Sequence, residues 1–150
     1  MPLSSPVAHD SPVQDYLEAL HARFSAVRSG KVADYIPELT KADPAWFGIA
    51  IATVDGQVYE VGTSRQPFTI QSISKPLVYG IALEDAGPEQ VRQRVGVEPS
   101  GDAFNAISLE PGTGRPMNPM INAGAIAVAS LVRGDSAQAR LDRVVDAFSA

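Results

Sequence analysis

The sequence has no cysteine, two histidines and three lysines in 150 residues. Without cysteine, a disulfide framework, a thiol nucleophile and a cysteine-bound zinc site are all excluded. Two histidines, His9 and His21, are too few for most metal clusters, and we therefore expect no metal site. The scarcity of lysine and a net charge of −5 argue against a surface for nucleic acid, which needs clustered Lys and Arg, so no nucleic-acid partner is expected.

Long apolar runs are also missing. The longest apolar stretch, from Ala123 to Val132, contains Gly124 and Ser130 and is too short to cross a bilayer. The first 14 residues have neither the basic start nor the apolar core that a secretory signal needs. We therefore expect a cytoplasmic protein with no membrane partner.

The composition that remains is that of a globular protein, with 45% hydrophobic and 19% charged residues. A chain of this length predicts one domain that buries roughly 70% of its unfolded surface. Prolines among Ser and Asp at the start predict a flexible N-terminal arm over residues 1–12. The domain itself then covers residues 13–150.

A first helix and a hairpin are predicted in the first half of the chain. The helix begins near Ser11 and ends at Ser29-Gly30, since apolar residues recur there every three or four positions. Two segments of strand composition then flank Asp55-Gly56, a pair typical of a type I′ hairpin turn. The first strand is apolar on both faces, which predicts cover on both. The helical stripe is Leu17, Leu20, Phe24 and Val27, and the strands are residues 46–54 and 57–61.

Four helices are predicted in the second half. The last one has Ser136 as its N-cap and an apolar face that continues almost to Ala150, where no capping residue follows. Truncation at 150 and a terminal helix docked on the core are both open interpretations of that ending. The predicted helices run from the Thr69–Pro76 segment to about Ala86, from Pro88 to Val95, from Asn118 to Val132, and from Ser136 onward.

The segment Ser72-Ile73-Ser74-Lys75 is the candidate for chemistry. Its Ser-x-x-Lys pattern stands where a loop enters a helix, and residues three apart lie on one helical face. Desolvation favours the neutral form of a lysine amine, which can then act as a base toward the Ser72 hydroxyl. The Ser72 N–H, as a first-turn amide, is free to stabilise an oxyanion. A Ser cap followed by a solvated Lys is the structural alternative.

Three segments stand out in the sequence: residues 34–39 (DYIPEL) followed by 54–56 (VDG), 71–77 (QSISKPL) and 118–126 (NPMINAGAI). In type and order they resemble segments of the bacterial-type glutaminase family, which has the serine β-lactamase-like fold. The resemblance implies an α+β fold of the serine β-lactamase/transpeptidase kind that is incomplete here: an N-terminal helix, a β-hairpin, then helices, with Ser-x-x-Lys at a helix N-terminus. Because the family's domain is about twice this length, we expect residues 13–150 to be its N-terminal part, truncated at 150.

The resemblance also implies an activity, the hydrolysis of L-glutamine to L-glutamate and ammonia through a seryl acyl-enzyme. Ser72 is then the nucleophile and Lys75 the base, and Tyr35 lies over the site as a proton relay or substrate contact. Asn122 holds the amino-acid end of glutamine, and Gln71 is a second candidate for that task. No cofactor is implied, and the family tends to form homo-oligomers, so a dimer or tetramer is expected.

Plainer roles stay open for these residues when the sequence is considered alone. Tyr35 is also compatible with a loop aromatic packed on the core, Asn122 with a helix cap, and Asn118 before Pro119 with a turn. Two other functions stay open as well. One is a generic Ser-x-x-Lys acyl-transfer hydrolase of the β-lactamase or peptidase kind, which a penicillin-type reagent would acylate at Ser72. The other is an inactive half-domain with exposed apolar surface.

Overall fold

The computed structural model describes residues 11–103 and 106–149, which divide into two compact units between Phe68 and Thr69. The described residues form five α-helices and one two-stranded sheet, which confirms the predicted α+β class. None of these helices has the length and apolarity that crossing a membrane requires. The arm predicted over residues 1–12 lies outside the described residues up to position 10, and Ser11 and Pro12 already belong to the start of the first helix.

In the first unit, helix α1 (Pro12–Phe24) packs on the hairpin. Gln14 Nε2 donates to the Glu60 carbonyl at 3.1 Å and His21 Nε2 contacts the Phe47 carbonyl at 3.1 Å, so the hairpin covers the middle of the helix around the buried Leu17. The helix ends before the predicted stop at Ser29-Gly30. Its predicted stripe is wrong at the C-terminal end, because Phe24 and Val27 extend past this cover and are exposed.

The hairpin pairs β1 (Gly48–Ala52) with β2 (Val58–Gly62) in antiparallel register, Gly48 opposite Gly62. The predicted type I′ turn is wrong, because that turn needs a positive φ at both central residues. Gly56 has φ 86°, but Asp55 does not share it, since Gln71 is the only described non-glycine residue with a positive φ. The observed turn runs from Thr53 to Gly56, whose N–H donates to the Thr53 carbonyl at 2.9 Å.

Strand β1 is more exposed than its composition predicts. Only Ile49 is half-buried, and Ile51 is 40% exposed. The expectation of cover on both faces is therefore wrong for the described residues, because the sheet has two strands there and α1 packs chiefly on β2. Between α1 and β1 the chain forms a short 3₁₀ helix (Pro37–Lys41).

The second unit packs its helices around the C-terminal half of α2. The helix predicted from Pro88 is confirmed as α3. Helix α4 begins four residues later than predicted, because Asn118–Ile121 form a turn. Ser136 caps α5 as predicted, with its hydroxyl accepting from the Ala139 N–H at 3.1 Å. The helices are α2 (Ser74–Ala86), α3 (Pro88–Arg94), α4 (Asn122–Ala129) and α5 (Ala137–Ser149), and the buried core is Ala82, Val91, Val95 and Val128.

The N-terminal half of α2 is not buried in the way its apolar face predicts. Ile81 and Ala82 are buried, but Val78 is half-buried and Leu77 is 48% exposed. The reason is that α3 and α4 reach the core beside the second half of α2. The first half of α2 faces an open apolar groove whose other wall is α5, so the polar residues at the start of α2 remain accessible.

Candidate active site

Ser72 lies in a 3₁₀ turn (Gln71–Ile73) directly before α2, one step earlier than the α-helical first turn that the sequence predicts. Its side chain is exposed. Among the described residues, neither its backbone N–H nor its hydroxyl makes a hydrogen bond. Because these two groups point to no internal partner, both are free for an exogenous one, which is what a nucleophile and an oxyanion donor require.

Gln71, the residue before Ser72, has a backbone conformation that the sequence does not predict. Its φ of 46° lies in the left-handed region, which costs a non-glycine residue about 1–2 kcal/mol. The Ser74 hydroxyl donates to the Gln71 carbonyl at 2.7 Å, and Gln71 Nε2 donates to the Thr69 hydroxyl at 3.0 Å. Strain of this kind persists only where neighbouring contacts impose it, and it is concentrated at functional sites.

Lys75, the second residue of α2, connects this helix to a segment that is 45 or more positions away in the sequence. Its Nζ donates to Asn122 Oδ1 at 2.7 Å and to the Met120 carbonyl at 2.9 Å, while the side chain is half-buried. The alternative of a solvated lysine after a Ser cap is therefore wrong for this residue. A lysine amine that is held on two acceptors points in a defined direction instead of sampling solvent.

Asn122 is the first residue of α4, and the structure excludes the simple capping role. The N-cap of α4 is Ile121, with no side-chain capping bond, and the Asn122 carbonyl oxygen instead accepts from Lys75. Since that oxygen is engaged, the side-chain NH₂ of this exposed residue is the group left to meet a ligand.

The turn before α4 has the Asx geometry expected of an Asn before a proline. Asn118 Oδ1 accepts from the Met120 N–H at 3.0 Å and from the Ile121 N–H at 3.2 Å, and its Nδ2 donates to the Glu98 carbonyl at 3.0 Å. Gly124 then lies so close to this turn that a Cβ there would be 1.8 Å from the Asn118 carbonyl oxygen. Sequence reasoning identified the turn but missed the function of its contacts, because the partner at Glu98 is 20 positions away.

Tyr35 belongs to the first unit, whereas Ser72, Lys75, Asn122 and Gln71 belong to the second. Its side chain is 71% exposed, just before the 3₁₀ helix Pro37–Lys41. The alternative that Tyr35 packs on the core as a loop aromatic is therefore wrong, and its phenol is available for an external partner.

The pKa shifts of the second unit belong to ion pairs and not to the candidate site. The pKa of Asp85 is lowered, chiefly by the Arg133 N–H that donates to it and then by Arg143. The Arg115 guanidinium likewise lowers the pKa of Glu110. Asp85 joins α2 to Arg133, which follows α4, and to Arg143 of α5, whereas Glu110 and Arg115 lie in one loop. Neither carboxylate hydrogen-bonds Lys75. Within the described residues, no group of three His, Cys, Asp or Glu side chains has the arrangement needed to hold a metal ion.

Comparison with known proteins identifies the family to which the chain belongs. A family model described as glutaminase matches residues 30–150. The glutaminase of Microcystis aeruginosa is 55% identical over 137 residues, which is 91% of this chain and 40% of that protein. The glutaminase of Nostoc sp. is 55% identical over 138 residues, 92% of this chain and 41% of that protein. The chain thus spans about two fifths of the length of these curated relatives.

A solved structure shows the same backbone arrangement. The crystal structure of Mglu in its tris and glutamate form superposes with a TM-score of 0.85 at 49% sequence identity. The superposition covers 93% of this chain and 31% of that chain.

Proposed function

The chain belongs to the glutaminase family, and we propose on that basis that it carries the nucleophile part of a site that hydrolyses L-glutamine to L-glutamate and ammonia. The observation that carries the proposal is the placement of Lys75 on Asn122 and Met120, within one helical turn of Ser72, whose hydroxyl makes no hydrogen bond among the described residues. Residues 13–150 are proposed as the N-terminal part of the family's serine β-lactamase/transpeptidase-like domain.

The hydrogen bonds of Lys75 suit a general base. A neutral amine has two N–H donors and one lone pair, and the two donors match the Met120 carbonyl and Asn122 Oδ1. The lone pair is then left to accept the proton of the Ser72 hydroxyl. This arrangement activates Ser72 without a metal or a cofactor, and the proposed reaction needs neither.

The proposed reaction proceeds in two steps. Ser72 Oγ attacks the side-chain amide carbon of glutamine while its proton passes to Lys75 Nζ, and the oxyanion accepts the free Ser72 N–H. The tetrahedral intermediate collapses when the C–N bond breaks, and the proton on Lys75 is returned to the departing nitrogen, so ammonia leaves. Water then attacks the carbonyl carbon of the γ-glutamyl ester and gives a proton to Lys75. The bond between that carbon and Ser72 Oγ breaks, Lys75 returns the proton to Ser72 Oγ, and glutamate is released.

Substrate contacts are proposed for three further residues. The free NH₂ of Asn122 donates to the carboxylate at the amino-acid end of glutamine, since its oxygen is held by Lys75. Tyr35 supplies its exposed phenol as a proton relay or substrate contact. Gln71 is the weaker candidate, because its amide already donates to Thr69 and would have to leave it. A glutamate-bound form of the similar protein Mglu supports a ligand of this class.

The test is ammonia release from L-glutamine by the purified chain, with Ser72→Ala and Lys75→Met as variants. Lys41→Met is the matched control, because Lys41 is a surface lysine paired with Glu38. We expect turnover by the wild type and the control, no turnover by the two site variants, and a glutamyl adduct on Ser72 in mass spectra after rapid acid quenching. Equal turnover by wild type and Ser72→Ala would refute the nucleophile.

Two further outcomes separate the alternatives. Acylation of Ser72 by a penicillin-type reagent, without glutamine hydrolysis, would favour a generic acyl-transfer hydrolase. No turnover by the wild type would assign the activity only to chains of the relatives' full length and would support the inactive half-domain. Sedimentation of the same sample tests the proposed dimer or tetramer.

A further inference from the structure

We propose that Asn118 is a positioning residue for Lys75, and that its side chain sets the direction of the carbonyl that holds the lysine amine. Among the described residues, Asn118 makes no hydrogen bond with Lys75. Its effect passes through the main chain of Met120 and Ile121. The catalytic meaning of this role rests on the proposed function, whereas the geometric role does not.

The planarity of the peptide bond connects Asn118 to Lys75. The Met120 carbonyl and the Ile121 N–H belong to one rigid peptide unit, so they point in opposite directions. The Ile121 N–H is held by Asn118 Oδ1 at 3.2 Å, and the Met120 carbonyl on the other side of the unit accepts from Lys75 Nζ at 2.9 Å. Holding one end of the unit therefore aims the other end at the lysine.

Both polar atoms of the Asn118 side chain form hydrogen bonds that hold this turn in place. Oδ1 uses both lone pairs, on the Met120 and Ile121 amides, and Nδ2 donates to the Glu98 carbonyl at 3.0 Å. The Glu98 bond anchors the side chain to a second loop, so the turn cannot rotate freely with its own backbone. Asn122, the other acceptor of Lys75, follows this turn immediately and begins α4.

The lysines of the chain allow a test that does not depend on turnover. There are three, and Lys31 and Lys41 lie in exposed ion pairs, with side chains 83% and 71% exposed. Brief treatment with acetic anhydride, followed by peptide mass spectrometry, gives the acetylation rate of each lysine in one sample. We expect Asn118→Ala to raise the rate at Lys75 roughly fivefold, the factor for about one lost hydrogen bond, with no change at Lys31 and Lys41.

Matched variants separate positioning from general loosening. Asn118→Asp keeps both accepted bonds but loses the Nδ2 bond to the Glu98 carbonyl, and it should raise the Lys75 rate by about twofold, less than Asn118→Ala does. Asn118→Ser keeps a weaker acceptor and should lie between Asp and Ala. Asp43→Ala is the control, because Asp43 makes the same type of turn before Pro44, with its Oδ1 accepting from the Ala45 N–H at 2.8 Å, and should leave Lys75 unchanged.

An unchanged Lys75 rate in folded Asn118→Ala would overturn the proposal. Circular dichroism at 222 nm shows whether that variant is folded, because Lys31 and Lys41 are already exposed and would not report unfolding. If it is unfolded, Asn118→Ser decides, and a folded protein with wild-type labelling of Lys75 overturns the proposal equally. Where the wild type hydrolyses glutamine, Asn118→Ala should lower kcat by more than it raises KM, and Asn118→Asp should restore most of kcat. Absence of turnover in the wild type would contradict the proposed function and leave the labelling result intact.

Discussion

Replacing Gly124 with alanine should destabilise the second unit, although alanine is the better helix former. Gly124 is the third residue of α4, and a Cβ there would lie 1.8 Å from the Asn118 carbonyl oxygen and 2.8 Å from its carbonyl carbon. Both are backbone atoms, and ordinary contact begins at 3.4 Å. Either α4 or the preceding turn would therefore have to move by about 1.6 Å, the difference between 3.4 and 1.8 Å.

The magnitudes decide the sign of this change. Helix propensity favours alanine over glycine by at most about 1 kcal/mol. Overpacking costs about 1–3 kcal/mol, and the displaced turn also weakens the hydrogen bonds of Asn118, each of which contributes about 1 kcal/mol. We expect a net loss of about 2 kcal/mol in the free energy of unfolding, which corresponds to a fall in Tm of about 4–8 °C for a chain of this size.

Gly80 provides the matched control for this prediction. It lies in the middle of α2, and a Cβ at that position meets no atom within 4 Å. Gly80→Ala should therefore stabilise the protein by about 0.5–1 kcal/mol through helix propensity alone. Urea unfolding followed by circular dichroism at 222 nm measures both variants. If Gly124→Ala is as stable as wild type, or if both variants shift the urea midpoint in the same direction, the inference that α4 lies in close contact with the turn would be refuted.

Two further substitutions test the loops and the strained turn. Asp85→Asn should lower the free energy of unfolding by about 2 kcal/mol near pH 7, because the buried carboxylate accepts from the Arg133 N–H at 3.0 Å and from Arg143 at 3.1 Å. The pKa of Asp85 is lower in the folded state, so its stabilisation is full above about pH 5 and is lost as the pH falls through the folded pKa; urea midpoints at low pH should fall less steeply in the variant. Gln71→Gly should match wild-type stability or exceed it by up to about 1 kcal/mol, since it removes left-handed strain, whereas Gln71→Ala keeps the strain. A Tm in which glycine falls below alanine would contradict the strain at Gln71.

The sequence predicts the elements whose signals are local. Ser136 caps α5, α3 begins at Pro88, and Asn118 forms a turn, and each of these depends on a few neighbouring residues. The proximity of Lys75 and Asn122 is a long-range fact, and only the resemblance of whole segments to the glutaminase family pointed to it. Periodicity alone places the two residues in separate helices and gives no sign that their side chains meet.

The predictions of burial that failed share a physical cause. An apolar pattern shows that a side chain favours burial, but it does not show whether another element lies close enough to cover it. Ile51 has the composition of a covered strand, and Val27 continues a helical stripe, yet both are exposed because no described element reaches them. The left-handed Gln71 is a different case, since nothing in a glutamine signals a positive φ. The hydrogen bonds that hold this conformation come from the Ser74 and Thr69 hydroxyls, and no local pattern in the sequence indicates them.

The segment 118–126 is best understood as one unit whose residues serve the Lys75 amine in different ways. The Asn122 side chain and the Met120 carbonyl each accept a hydrogen bond from the amine. Asn118 orients that carbonyl by accepting from the Ile121 N–H on the opposite side of the same peptide unit. Gly124 contributes by lacking a Cβ, because any larger residue would push α4 off the turn and move both acceptors together. A change at Gly124 or Asn118 should therefore alter the surroundings of Lys75 as much as a change at Asn122, although neither residue touches the amine.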